Sequence, residues 1–374
     1  MKENKLYERY NRQIILKGFG VEAQLKLLQA KVLVVGAGGL GCPALQYLVG
    51  AGVGTIGIAD DDLVSLSNLH RQVLYSTDDI GHSKAQVAAT KLKLVNSDVT
   101  LIVHNEKLQN NNALHIIAQY DLVIDGTDNF SSRYLINDAC VLLEKPLVYG
   151  AVSMYEGQVA IFNVANGDKR AVHYRDLFPV PPKNGEIRNC SEAGVLGMLP
   201  GIIGTMQATE VVKLLTGIGS PLISKLLTYD ILTHETYVVE VAASPIEHDS
   251  LPTTTDEFLA MDYIVACAFE PNPGLEVNAV QFHQLRKKKS AVVIDVREFG
   301  ETPLIKNLVH KQIPMSVFTE RMNSIESQTI LLVCQHGIRS LYAAELLHDE
   351  FGEVKEVYSL KGGLVKWGVD LDVQ

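Results

Sequence analysis

The run KVLVVGAGGLG, residues 31–41, constrains this chain more than any other stretch. KVLVV has strand length and no polar alternation, the pattern of a strand buried on both faces. Gly36, Gly38 and Gly41 follow at once as GxGxxG. Glycines let the backbone turn sharply and approach phosphate, and the helix that comes next offers its N-terminal N–H groups to an anion. TIGIAD (55–60), VTLIVHN (99–105), DLVIDG (121–126) and PLVYGAV (146–152) read as further strands separated by helical segments. One such segment is SKAQVAATKLKLVN (83–96), with Ser83 as its N-cap. This β-α-β alternation predicts an α/β fold with a doubly wound, Rossmann-like, mainly parallel sheet. EGQVAIFN (156–163) continues as strand and departs from the alternation. Asp60 stands 19 residues after Gly41, at the end of the second strand, where a carboxylate takes ribose hydroxyls. A nucleotide is implied, but the glycine turn alone does not choose between NAD and ATP.

A length of 374 residues suggests two or three domains at roughly 100–200 residues each. Residues 1–242 read as the nucleotide-binding domain, 243–274 as a linker, and 275–374 as a small second α/β domain. In the last, AVVIDVRE and TILLVC are strands, SLYAAELLHDEF is a helix, and GGLVKW comes near the end. With 47% apolar and 20% charged residues, wholesale disorder is excluded. A net charge of -10 makes the chain a poor general binder of nucleic acid or of anionic membrane. No apolar run reaches the roughly 18 residues of a membrane span, and MKENKLYERYNRQ lacks the apolar region of a signal peptide. A cytoplasmic location is the default expectation. The cysteines, Cys42, Cys140, Cys190, Cys267 and Cys334, are odd in number and widely spaced, which fits a reducing compartment rather than a disulfide framework. No CxxC pair exists, so a four-cysteine zinc site is excluded.

The residues after the second strand point away from a dehydrogenase. DDDLVSLSNLHRQ (60–72) brings Asp60, Asp62, Ser67, Asn68, Arg71 and Gln72, and Lys84 comes shortly after. DGTDN (125–129) ends the fourth strand with Asp125, Asp128 and Asn129. In a doubly wound sheet these segments converge on one crevice at the carboxyl ends of the strands. Hydride transfer has no triphosphate to neutralise. Attack on an α-phosphate does: Arg and Lys offset its developing charge and Asp can hold Mg²⁺.

RYNRQIIL (9–16), GAGGLGCP (36–43), DDDLVSLSNLHRQ and DGTDNFSSRYLIND (125–138) together resemble the ubiquitin-activating-type adenylyltransferases of bacteria, over about residues 7–240. These are the molybdopterin-synthase and thiamine sulfur-carrier adenylyltransferases. The resemblance implies that ATP is split to pyrophosphate and that the C-terminal glycine of a small ubiquitin-like sulfur carrier ending in Gly-Gly becomes an acyl-adenylate. By position, Gly39, Asp60, Ser67, Asn68, Arg71, Lys84, Asp128 and Asn129 match the family's ATP-binding residues, with Asp128 as the Mg²⁺ ligand. Arg12 matches an arginine that reaches the neighbouring subunit's nucleotide, which implies a homodimer. The wording of RYNRQIIL and SNLHRQVLY, with the appended second domain, favours the molybdopterin-synthase type over the thiamine type.

Two cysteines are candidate nucleophiles. Cys190, in RNCSEAGVLG, comes after a Pro/Gly loop and precedes an apolar helix, where a thiol pKa is lowered. The resemblance gives an equivalent cysteine the role of taking the activated carrier as a thioester or acyl disulfide. Cys334 ends a strand and opens CQHGIRS (334–340), a turn short enough to aim several backbone N–H groups at one sulfur, with Arg339 able to add positive charge. CQHGIRS, VIDVRE (293–298) and GGLVKW (362–367) resemble rhodanese-type sulfurtransferases over roughly 275–372. That resemblance implies a persulfide on Cys334, supplied by a cysteine desulfurase or by thiosulfate. Attack of this sulfur on the acyl-adenylate gives a thiocarboxylate. Cys42, Cys140 and Cys267 read as core or passive residues.

The pattern departs from the family at one place. Many relatives hold a structural zinc with two CxxC pairs; here the first pair's positions are His173 and Asp176, and the second region offers only Glu247, His248 and Asp249. The expectation is that zinc is lost. Two other readings remain open: an NAD-dependent oxidoreductase using the same glycine turn, and a non-catalytic adaptor whose second domain only docks partners.

Overall fold

The computed structural model describes residues 2–165, 167, 170–179, 194–244, 251–261, 263, 274–301, 305, 309–335 and 337–367. They fall into two units, one holding the bulk of residues 1–266 and the other the bulk of 267–374.

The first unit is built on an eight-stranded sheet in the order β3-β2-β1-β4-β5-β6-β7-β8. Its strands are β1 (Lys31–Val35), β2 (Thr55–Ala59), β3 (Thr100–His104), β4 (Leu122–Asp125), β5 (Leu147–Ser153), β6 (Glu156–Phe162), β7 (Lys225–Asp230) and β8 (Thr236–Glu240). β1 to β5 are parallel, and β6 to β8 continue antiparallel. The preceding and crossover helices are α1 (Lys2–Ile14), α2 (Gly20–Gln29), α3 (Gly41–Ala51), α4 (Lys84–Val95), α5 (Asn110–Ile117) and α6 (Phe130–Leu142). The doubly wound reading of the sequence is therefore the observed one, with an antiparallel extension. Ser83 caps α4 as expected, accepting from the Gln86 N–H at 3.3 Å.

Val32, Val34, Ile56, Ile58 and Ile124 pack with Leu27, Leu45, Leu48, Ala85 and Leu92 of the helices in one core. The rings of Tyr134, Tyr149, Phe162 and Tyr174 interlock edge-on or tilted. Burying both faces explains why KVLVV carries no alternation. Register then sets the level of the strand ends. Val35 lies opposite both Ala59 of β2 and Asp125 of β4. Gly36, Asp60 and Gly126, the residues just beyond, leave the sheet side by side.

β7 and β8 carry no sequence signal of the kind that marks β1. All five residues of β8 are exposed, so its TYVVE has no buried face to impose a period. The segment read as a linker also holds more order than a linker needs. Thr254 and Glu257 form a capping box on a helix at Thr255–Ala260, whose Phe258 is fully buried. The Asn110 side chain donates to the carbonyls of Phe258 and Met261, and the Tyr263 hydroxyl donates to buried Asp138 at 2.8 Å.

The second unit is a five-stranded, wholly parallel sheet in the order β11-β10-β12-β13-β9. Its strands are β9 (Glu276–Val277), β10 (Ala291–Asp295), β11 (Lys311–Gln312), β12 (Thr329–Val333) and β13 (Glu356–Leu360). Helices Ala279–Leu285, Met315–Arg321, Ile338–Phe351 and Gly363–Trp367 accompany it. All five residues of β12 are buried, and Cys334 comes directly after it. Among the described residues, no helix is long and apolar enough to cross a membrane.

Candidate functional site

The turn after β1 is packed so tightly that only glycine fits at two of its positions. Gly36 has φ +90°, and a Cβ there would stand 2.7 Å from the Gly126 carbonyl oxygen at the end of β4. A Cβ on Gly41 would stand 1.8 Å from the Gly36 carbonyl oxygen. This is the switch point of the sheet, where crossovers part to opposite faces and leave a crevice. A Cβ at Gly38 would approach the Gln72 amide nitrogen at 3.5 Å. One at Gly39 would meet Pro200 at 3.1 Å and the Arg71 side chain at 3.6 Å. The turn thus lies under Arg71, Gln72 and the first turn of the helix Met198–Thr216.

Hydrogen bonds tie the remaining sequence candidates to this turn. The Asp60 carboxylate accepts from the Ala37 N–H at 2.7 Å and from the Asp62 N–H at 2.8 Å. Burial pushes the Asp60 carboxyl up, against the pull of Lys84 and those two N–H groups. Lys84 is buried and its ammonium donates to the exposed Asp62 carboxylate at 2.7 Å. Lys84 is therefore a directed charge and not a solvated one. The Tyr75 hydroxyl bridges the carbonyls of Ala37 and Lys84, fastening the turn to the start of α4. Ser67 and Asn68 form a single 3-10 turn, in which the Asn68 side chain accepts from the Ser65 N–H and the Ser67 carbonyl accepts from Arg71.

The end of β4 is fixed from below. Fully buried Asp125 accepts from the Thr127 N–H and hydroxyl at 2.9 and 2.6 Å. Arg133 donates to the Thr127 carbonyl and stands 3.5 Å from the Asp125 carboxylate, with the Phe130 and Tyr149 rings beside it. Burial pushes the Asp125 carboxyl up, while Arg133 and Thr127 pull it down. Asn129 caps α6 through the Ser132 N–H. Asp128 sits between these two locked neighbours with its own carboxylate exposed and without a hydrogen bond among the described residues.

This arrangement suits a nucleoside triphosphate and a hard cation. The glycine cradle admits close approach, and the buried Gln72 Oε1 and Asp125 Oδ2 accept no hydrogen bond from the described residues. A free carboxylate oxygen on Asp128 is the donor type that Mg²⁺ takes. Asp60, Asp61 and Asp62 also bring their carboxylates within 4.8 Å of one another. Arg12 stands apart: it is exposed in the last turn of α1, and none of its described contacts reaches the turn.

In the second unit the loop after β12 does what its length suggested. Cys334 Sγ receives the N–H groups of Gly337 at 3.2 Å and Ser340 at 3.3 Å, and the Ser340 hydroxyl at 3.4 Å. Ser359 on β13 donates in turn to Ser340 Oγ at 2.8 Å. The glycine pair of GGLVKW closes the loop from the far side. A Cβ on Gly363 would stand 2.5–2.6 Å from Gln335, Gly337 and Cys334 backbone atoms, and the Leu364 N–H donates to the Cys334 carbonyl. Arg339 is occupied: both its terminal nitrogens donate to Glu301, at 2.6 and 2.8 Å. It therefore brings Glu301 into the loop together with its own charge.

Sequence reasoning did not single out Tyr75, Arg133, Ser340, Ser359 or Gly363. Cys190 and Cys267 lie outside the described residues, as do Glu247, His248 and Asp249. Cys42 and Cys140 are buried, and burial pushes both thiols up, Cys42 to about 12.

The residues at the altered zinc positions have other work. Asp176 accepts from Arg170 at 2.7 and 3.1 Å, from the His173 N–H and from the Ser244 N–H. Against burial, which would raise it, these donors hold the Asp176 carboxyl down at about 2. With its oxygens so engaged, Asp176 is a poor zinc donor. The purified protein is expected to hold no stoichiometric zinc; elemental analysis finding about one zinc per chain would contradict this.

Comparison with known proteins agrees with both units. A ThiF family model matches residues 10–251, and a rhodanese-like domain model matches residues 278–370. The probable adenylyltransferase/sulfurtransferase MoeZ of Mycobacterium tuberculosis is 38% identical over 369 residues, covering 96% of this chain and 92% of that protein. A probable molybdopterin-synthase adenylyltransferase of Porphyra purpurea is 38% identical over 367 residues, covering 96% and 92%. Among solved structures, E. coli MccB with MccA-N7isoASN superposes with a TM-score of 0.56 at 22% identity, over 64% of this chain and 73% of that one, which is a likeness of fold.

Proposed function

Because this chain belongs to the ThiF family and continues into a rhodanese-like domain, we propose that it joins two reactions on one small carrier protein. It is an adenylyltransferase with a sulfurtransferase domain. Its substrates are ATP and the C-terminal glycine of a ubiquitin-like sulfur carrier ending in Gly-Gly, of the kind that supplies molybdopterin synthase. The carrier carboxylate attacks the α-phosphorus, the bond to the β-phosphate breaks, and pyrophosphate leaves. Lys84 and Arg71 meet the phosphate charge, Gly36 to Gly41 give the backbone room to approach it, and Asp60, Ser67 and Asn68 hold the nucleoside end and its turn. Mg²⁺ at Asp128 would neutralise phosphate oxygens as pyrophosphate departs. Asn129 sets the helix cap beside it. Arg12 would complete the site of a second copy in a homodimer.

The second reaction uses a persulfide on Cys334. Its terminal sulfur attacks the acyl carbon and AMP leaves, joining carrier and enzyme by an acyl disulfide. A thiol then attacks the Cys334 sulfur, which releases the carrier thiocarboxylate and leaves a disulfide. Thiosulfate or a cysteine desulfurase would reload the sulfur. Cys190 is the cysteine that the family resemblance places on the activated carrier. The sulfurtransferase domain is proposed to begin near residue 275, after the 243–274 segment, and the proposed setting is the cytoplasm.

A single observation supports the reading most: one chain holds a glycine turn framed by Lys84 and Arg71 and, in its other unit, a sulfur receiving three donors. ATP–pyrophosphate exchange with Mg²⁺ and small carriers ending in Gly-Gly tests it. Exchange with a molybdopterin-synthase carrier is expected. Exchange only with a thiamine-pathway carrier would move the assignment, and stabilisation by NADH but not by Mg-ATP would support the oxidoreductase instead.

A further inference from the structure

His70 precedes Arg71 in the chain, and the Arg71 Nη1–H donates to His70 Nε2 at 2.7 Å. An arginine has five donors and no acceptor, so this bond requires a lone pair on Nε2. His70 must therefore be neutral, with its proton on Nδ1. The second bond from Nη1 goes to the Ser67 carbonyl at 3.0 Å. Together the two acceptors hold the guanidinium at the edge of the glycine turn, where the Arg71 stem lies near Gly39. His70 is itself pressed from the other side. A Cβ on Gly197 would stand 2.4 Å from the His70 carbonyl oxygen and 3.2 Å from Nδ1, so the strand of chain entering the helix Met198–Thr216 rests on this residue.

We propose that His70 is a positioning residue for Arg71, and that its protonation releases Arg71 and weakens Mg-ATP binding. The inference rests on the reading that Arg71 meets the nucleotide. Protonated, His70 loses the acceptor and places a second cation against the guanidinium. Desolvation and the neighbouring Arg71 lower the His70 pKa below its ordinary 6.5, which keeps the neutral form in place at physiological pH. Among the described residues, the groups facing His70 are Arg71 on its own segment and Gly197 from the segment packed against it, and the latter brings no charge.

The test is the KM for Mg-ATP in pyrophosphate exchange, measured from about pH 8 to about pH 5.5 on the full chain and its variants. One lost hydrogen bond of this kind corresponds to about fivefold. His70→Ala is expected to raise KM about fivefold at pH 8, with kcat affected less. His70→Gln, whose amide oxygen can accept the same bond, is expected to restore most of that loss. Dividing the wild-type profile by the His70→Gln profile cancels the titration of nucleotide and carrier. The ratio should rise toward the acid end of the range, because desolvation and Arg71 lower the His70 pKa. A flat ratio, or wild-type affinity that improves on acidification relative to His70→Gln, overturns the proposal. Arg71→Ala separates the two levels: if it leaves the Mg-ATP KM unchanged, the nucleotide role of Arg71 fails first.

Discussion

Asp128→Ala is expected to lower ATP–pyrophosphate exchange by about 100- to 1000-fold, the usual loss when one fixed electrostatic contact to a transition state is removed. The size of the effect should stand out because the structural cost is small. Asp128 is exposed and bonds to no described residue, so its removal should change stability by no more than about 0.5 kcal/mol. The loop around it is held without it, by Asp125 and Arg133 at Thr127 and by the Asn129 cap. Exchange and thermal melting measured on the same preparation check this. A variant that keeps its melting temperature and also keeps exchange would remove Asp128 from the reaction.

Cys334→Ala is expected to abolish sulfur transfer from thiosulfate to an acceptor, while leaving pyrophosphate exchange at the wild-type level. The sulfur is the side-chain atom on which the three donors of that loop converge, and alanine supplies no atom to carry a persulfide. Cys334 is nearly fully buried, so its loss leaves a small void rather than a new surface, and the unit should remain folded. Transfer that persists in Cys334→Ala would favour the adaptor reading, with the second unit acting as a docking module.

The parts of this molecule that could be read ahead were those in which local sequence and final environment coincide. β1 is buried on both faces, so KVLVV spells its burial directly. Gly36 and Gly41 are required by contacts a few residues or one strand away, and the GxGxxG spacing records that requirement. Cys334 was legible because strand, turn and helix succeed one another without a break. Ser359 was not: it reaches the sulfur's surroundings only because β13 lies beside β12, a pairing no local pattern reports. Arg133 likewise acts through Thr127, and DGTDNFSSR gives no hint of which charge is structural. β8 failed to announce itself because none of its side chains is buried. Thr254 and Glu257 are a capping box that could have been found, but the Pro and Thr residues around them read as linker.

The way Phe258 and Tyr263 are held has a practical consequence for anyone who wants the adenylylating half by itself. A chain stopped at residue 242 would leave behind the fully buried Phe258 ring, the two carbonyls that the Asn110 side chain bonds, and the hydroxyl that completes the bonding of Asp138 with Arg175. Removing a buried phenyl ring alone typically costs about 3–5 kcal/mol, a large fraction of a domain's stability. The natural place to divide the protein is therefore no earlier than residue 263.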